Sequence, residues 1–388
     1  MPNNTVKPLL PSFYEDVRRR LRVRAQAAEL DGLLLLADGN ITYATGWRFS
    51  ANERPVGVWI PVDGDPLLLV PLLELENAMA TPGVHVRTYE EFPGEQPPVL
   101  WMLDETGSQR IAIDVLDAKL LDPARARLKR LELADHVLPE RAIKTPEELA
   151  LTREAARLAD LVLERLLSAG GPIIKQGGTE TDLLADCTGH VRELLTATHG
   201  KAFQGTKIGI TASVHSGPRA ALPHGAVTPR RPQPGDPIIA GIGCSLGGYH
   251  AESGATLVLG EITPEQRRVM VAMEEAGAAT SEALEDGLPC ADVNEAALAP
   301  IRSAGLGDAI RHRIGHGMGV EGHEAPWLAP GDATPAAPGM VFSCEPGVYR
   351  PGVDGWRTID TLVVGEDGVE VASRFLASHP METRTLPC

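Results

Sequence analysis

The chain has 388 residues, 43% of them hydrophobic and 23% charged, a globular composition long enough for two domains with separate cores. Acidic residues outnumber basic ones 52 to 36, and the net charge of −16 repels phosphate backbones and anionic lipid, so neither nucleic acid nor a membrane is an expected partner. No apolar run approaches the roughly 20 residues that cross a bilayer. The opening Met1-Pro2-Asn3-Asn4-Thr5 starts no leader pattern, and five widely spaced cysteines make no paired motif, which together suit a reducing cytoplasm.

Residues 14–30 interleave five arginines with Val17, Leu21 and Val23 and predict a basic amphipathic helix. Leu33-Leu34-Leu35-Leu36, Val58–Val62 and Pro66–Val70 predict short buried strands separated by Asp/Gly turns, so residues 1–140 read as an α/β domain. Thr145, Pro146 and Glu148 then supply an N-cap, a first helical position and the third residue of a capping box ahead of a long Ala/Leu-rich run. A second domain is therefore placed at 141–388. Further helix starts at Thr179-Glu180-Thr181-Asp182, Thr263-Pro264-Glu265-Gln266 and Ala291-Asp292-Val293-Asn294 alternate with apolar segments, which predicts sheets covered by helices, an α+β arrangement.

Four segments of this second half hold histidines or carboxylates beside Gly or Pro, where the backbone is constrained and side chains face clefts. Pro223-His224-Gly225 puts a histidine, a candidate proton carrier, in a loop. Residues 234–259 read as a β-hairpin whose return strand carries Glu252 among small residues. Residues 311–326 set His316 and His323 seven apart among four glycines, which let the backbone run close to a ligand. Glu345 ends an apolar strand before Pro346-Gly347, where a charge needs a partner.

Taken together and in this order, with Gly355-Trp356-Arg357-Thr358-Ile359-Asp360-Thr361 following, the four segments closely resemble the creatinase/prolidase/methionine aminopeptidase superfamily, peptidase M24. The resemblance implies the pita-bread fold for the second domain and a creatinase-like N-terminal domain, where Asn40-Ile41-Thr42-Tyr43-Ala44-Thr45-Gly46 fits the pattern. It also implies a homodimer. Metallopeptidases of the superfamily hold two divalent ions with two Asp, one His and two Glu. Carried over, the first Asp falls on Gly241 and the final bridging Glu on Ile359, so both are lost. The second Asp falls on Glu252, and His316 and Glu345 match.

Without a terminal ligand and the bridge, a dinuclear centre is not expected. Glu252, His316 and Glu345 remain as a set for one Zn, Mn or Fe ion. The principal reading is a creatinase-like hydrolase of a C–N bond in a small amino-acid-like, amide or guanidine-type substrate, working without a metal. In it Glu252 and Glu345 hold the substrate, His224 moves a proton to the leaving nitrogen and His323 polarises the carbonyl. His316 and Arg357 bind substrate, Arg357 through a carboxylate or else paired with Asp360. The carboxylates are expected to keep a neighbouring histidine charged. Creatinase itself has a Glu where this chain has Gly254. An Xaa-Pro peptidase with a single ion and a dipeptide-like substrate is the alternative; an inactive binding module and a lyase are the others. Trp47, Trp327 and Trp356 are candidates for the cleft or the core.

Overall fold

In the computed structural model, which describes residues 6–49 and 52–388, the leading helix spans Pro11–Ala27. Pro11 loses nothing at a position whose N–H has no helical partner, and Val17, Leu21 and Ala25, four apart, are buried along one stripe. The helix stops short of residue 30 because Glu29 turns to φ 56° and Leu30 N–H returns to the Ala25 carbonyl. Residues 1–5, on which the leader reading rests, lie outside the described residues.

Six strands follow: β1 (Gly32–Leu35), β2 (Gly57–Pro61), β3 (Leu67–Pro71), β4 (His85–Tyr89), β5 (Arg110–Ile113) and β6 (Arg130–Leu133). They form one sheet in the order β4-β3-β2-β1-β5-β6. All four residues of β1 are buried, which is why its sequence is a continuous apolar run rather than an alternation. Asn40 ties this unit internally, donating to Asp114 at 2.8 Å and Asp135 at 3.0 Å while accepting from Arg141 at 2.8 Å. The chain divides into compact units between Arg141 and Ala142.

In the unit from residue 142 onward, both halves of a capping box form at Thr145/Glu148, Thr179/Asp182 and Thr263/Gln266. They open helices Pro146–Lys175, Glu180–His199 and Pro264–Glu285. The fourth helix, Cys290–Ser303, starts one residue before the expected Ala291 and has no side-chain cap. Asn294, expected near that helix start, is buried and accepts from the Ile314 N–H at 2.9 Å.

One sheet of this unit has the order β17-β9-β8-β7, from β7 (Gly209–Ser216), β8 (Pro237–Leu246), β9 (Tyr249–Leu259) and β17 (Thr385–Leu386). The hairpin β8–β9 closes through Gly247 and Gly248 at φ 59° and 95°, a pair of positive values that a two-residue turn requires. The second sheet has the order β11-β10-β12-β15-β16, from β10 (Gly315–Gly317), β11 (Glu324–Leu328), β12 (Val341–Cys344), β15 (Asp360–Gly365) and β16 (Gly368–Val371). A short ribbon, β13 (Gly347–Arg350) with β14 (Asp354–Arg357), lies between β12 and β15 in sequence.

A single bridge joins the two sheets. Gly254 of β9 and Ile359 exchange both backbone hydrogen bonds at 2.9 Å. Met273, Ala276, Ile301, Phe342, Trp356 and Leu362 belong to one apolar core of the unit. Trp356 is 1% exposed and Trp47 5%, so both are packing residues. Among the described residues no helix is long and apolar enough to cross a membrane.

Candidate active site

The bridge between the sheets determines where the candidate residues meet. Gly241 pairs with Gly254, and Gly243 with Glu252, so these four positions share one face of the β8–β9 hairpin. Glu252 is the only one with a side chain to offer. Thr361 of β15 anchors it from the other sheet, donating to the Glu252 carbonyl at 2.7 Å and accepting from the Glu252 N–H at 2.9 Å. Ser343 of β12 donates to Glu252 Oε2 at 2.8 Å.

From the second sheet, β10 presents His316 and the end of β12 presents Glu345. His316 Nε2 lies 3.4 Å from Glu345 Oε1 and 3.9 Å from Glu252 Oε2. His323, on the loop between β10 and β11, stacks on His316 with centroids 3.7 Å apart and reaches Glu252 Oε1 at 3.9 Å. Lys144 and Glu324, 1% exposed each, pair at 3.0 Å and pin the end of that loop.

The proton positions follow from the second shell. The His316 ring sits with Nδ1 3.0 Å from the Gly317 carbonyl, so Nδ1 carries the hydrogen and Nε2 is left for the cleft. Nε2 is buried with no well-formed hydrogen bond. A lone pair facing two carboxylates is repulsive, so this atom calls for a proton or a cation between it and the acids.

Burial opposes a charge on His316, yet Glu345 and Glu252 raise its pKa. Burial works against the Glu345 carboxylate too, but His316 and the Arg357 charge hold it at about 2. Burial raises Glu252, with Glu345 adding to the effect. His323 goes the other way. Burial and the neighbouring His316 push it down to about 4, so at neutral pH it is an uncharged imidazole. The expectation that the carboxylates keep a histidine charged therefore fits His316 and fails for His323, because like charges in a stacked pair separate their titrations.

His224 is exposed in the loop 222–226, whose Gly225 carbonyl meets His215 Nε2 at 2.5 Å. Its charge influences His323, while Glu252, His323 and Glu345 meet directly around His316. Arg357, at the end of β14, is 7% exposed and comes to the same place. It does not pair with Asp360, which instead accepts from Ser373 at 2.5 Å.

Burial raises Asp360 to about 6, above its ordinary 3.8. Its ionised form is thus disfavoured in the folded chain, and this group lowers stability as pH climbs from about 4 to 6, by up to about 3 kcal/mol. Asp360→Asn should flatten that part of the stability–pH curve, measured by urea unfolding at pH 4 and 7. An unchanged slope would remove Asp360 as its source.

Several contributing residues escaped the sequence. Ser343 and Thr361, which fix Glu252, lie in segments that carry the resemblance, but neither was singled out for a role. Arg313, whose guanidinium sits 4.7 Å above the Trp327 ring, lines with Trp327, His323 and Asp332 a cavity of about 590 Å³. Its only sequence signal was its place in the basic run before His316.

Glu252, His316 and His323 offer donor atoms that all lie within 4.8 Å of one another. A tetrahedral ion with bonds of about 2.1 Å needs donors about 3.4 Å apart; His316 and His323 each lie 3.9 Å from a Glu252 oxygen, near that size, and His323 takes the place of the expected Glu345 in this group. One ion fits. Two do not: Gly241 and Ile359 offer no donor, and a Cβ on Gly241 would run into Arg357 Nη2. Nor is there room for the creatinase Glu at position 254, where a Cβ would stand 2.6 Å from Ile359 Cγ1.

Residues 150–366 match the model of metallopeptidase family M24, and residues 18–138 that of the creatinase/prolidase N-terminal domain. A probable dipeptidase PepE from Mycobacterium bovis is 32% identical over 365 residues, covering 90% of this chain and 92% of that protein. The crystal structure of dipeptidase PepE from Mycobacterium ulcerans superposes with a TM-score of 0.84 at 27% identity, over 98% of this chain and 100% of that one. The Xaa-Pro dipeptidase from Bacillus anthracis shares the fold, with a TM-score of 0.79 at 24% identity over 97% and 100%. The chain accordingly belongs to metallopeptidase family M24, with the creatinase-type N-terminal domain and the pita-bread domain, and is a hydrolase of C–N bonds.

Proposed function

We propose that this chain cleaves the peptide bond of a dipeptide-like substrate, as an Xaa-Pro-type peptidase whose cleft takes a single divalent ion. The observation that carries the reading is the orphaned, buried Nε2 of His316, facing Glu252 and Glu345 with His323 stacked alongside. The similarity to PepE dipeptidases over nearly the whole chain supports the substrate class. Glu252, His316 and His323 would hold the ion, which supplies Lewis acidity at the scissile carbonyl. Glu345, ionised at neutral pH, holds the substrate ammonium or an amide N–H. His224, exposed to solvent, carries a proton to the leaving nitrogen. Arg313 on the Trp327 shelf, with Arg357 deeper in, receives the substrate carboxylate.

A metal-free reading keeps one specific observation in its favour, the raised pKa of His316, which lets an imidazolium take the ion's place between the acids. His323 would then polarise the carbonyl. A homodimer in a reducing cytoplasm completes the proposal; all five cysteines are unpaired. With a net charge of −16, nucleic acid and membranes are not among its partners.

The test is hydrolysis of a panel of dipeptides, Xaa-Pro members included, beside creatine and simple amides, with and without chelator. Release of free amino acids that chelation suppresses and Mn²⁺ or Zn²⁺ restores is the expected result. Chelator-resistant hydrolysis favours the imidazolium, and turnover of creatine or amides without peptide cleavage overturns the peptidase reading.

A further inference from the structure

Arg357 is a cation in an unusual position. It is 7% exposed, its Nε has no hydrogen-bond partner, and among the described residues no carboxylate lies within 4.0 Å of its guanidinium. Its backbone is locked in β14, with the N–H donating to Thr256 Oγ1 at 2.9 Å and the carbonyl accepting from the same hydroxyl at 2.9 Å. The side chain runs under β8, against the bare backbone of Gly241, with Ile359 Cδ1 beside it. Any side chain at 241 would displace it. Tyr349, which bonds His312 Nε2 at 2.9 Å, is its polar neighbour. From there its charge reaches both Glu252 and Glu345.

A buried arginine without a carboxylate partner is costly unless its charge is used. Here its charge acts on both acids of the cleft, and the guanidinium fills the space over Gly241 into which a further carboxylate ligand would have to project. We propose that Arg357 is the resident second cation of this site: its guanidinium stands where a second metal ion would otherwise sit, neutralises part of the Glu252–Glu345 charge, and limits the cleft to one exchangeable divalent ion. This deepens the single-ion reading above and rests on the same cleft. It also accounts for Gly241 and Ile359 together, since the first makes room for the guanidinium and the second seals it from Gly254.

The direct test is divalent-ion affinity rather than turnover. Mn²⁺ and Zn²⁺ binding to the full-length chain is measured by calorimetry for the wild type, Arg357→Gln and Arg357→Lys, with thermal midpoints recorded for each. Removing a unit positive charge from beside the ion should tighten binding by at least about tenfold, whereas Arg357→Lys, which keeps the charge, should stay within about threefold of wild type. If Arg357→Gln does not fold, Arg357→Met serves, because it removes the charge while keeping an unbranched apolar stem, and should also tighten binding. Affinity unchanged or weakened in the neutralised variants overturns the proposal. A wild type that binds no ion while Arg357→Gln binds one upholds it, and refutes only the single-ion reading of the native enzyme.

Discussion

His316→Ala should cut kcat/KM for the best dipeptide substrate by roughly 10²–10⁴-fold, the range that a positioned acid–base or ligand group supplies. The imidazole is fully buried and sits 3.4 Å from Glu345 and 3.9 Å from Glu252. Without it, two carboxylates face one another with neither a proton-bearing ring nor a complete ligand set between them, and Glu345 loses the main influence that keeps it ionised. The Glu345 carboxyl should therefore titrate well above 2 in the variant. Steady-state kinetics across pH 5–9 would show the loss at every pH. A decrease of less than tenfold would remove His316 from the reacting centre.

The second large effect is on stability. Lys144 and Glu324 are an ion pair with both side chains 1% exposed and an Nζ–Oε1 distance of 3.0 Å. Removing Lys144 takes a cationic partner from the buried Glu324 carboxylate, so Lys144→Met should cost about 3–5 kcal/mol. The double change Lys144→Met with Glu324→Leu should recover much of this, since no charge is then left in the interior. Glu324 adjoins His323, so the single variant should also lose activity by loosening the stacked histidine pair. Urea unfolding gives the measurement. A single variant within 1 kcal/mol of wild type would mean that water reaches the pair.

Local rules made much of this architecture legible in the sequence. The three Thr-led capping boxes are physical switches that act within four residues, and all three form. The continuous leucines of β1 announced a strand covered on both faces. The fourth helix starts one residue earlier than expected, at Cys290, where the Thr334 and Asp332 carbonyls accept from the Cys290 and Ala291 N–H groups, contacts with a distant segment that no local pattern reveals.

In the site, the histidines and glutamates stood out because Gly and Pro frame them. What sequence order could not show is that Gly241, Arg357 and Ile359 act together. Gly241 lies more than a hundred residues before the other two and meets them where the Gly254–Ile359 bridge brings the strands together. Read singly, Gly241 and Ile359 are losses and Arg357 an ambiguous cation. In three dimensions the arginine fills the space that the glycine leaves. The opposite shifts of His316 and His323 likewise arise from contacts that spacing along the chain does not disclose, Glu345 and Glu252 acting on the first and burial with the neighbouring His316 on the second.

The central claim, a peptidase cleft built for one ion and a guanidinium rather than for two ions, is most directly tested by ion stoichiometry. The purified full-length chain would be dialysed against excess Mn²⁺ or Zn²⁺, freed of loose ions and measured by elemental analysis and native mass spectrometry. The account predicts no more than one ion per chain, displaced by Glu252→Gln or His316→Ala. Two tightly held ions per chain, both lost in those variants, would contradict it.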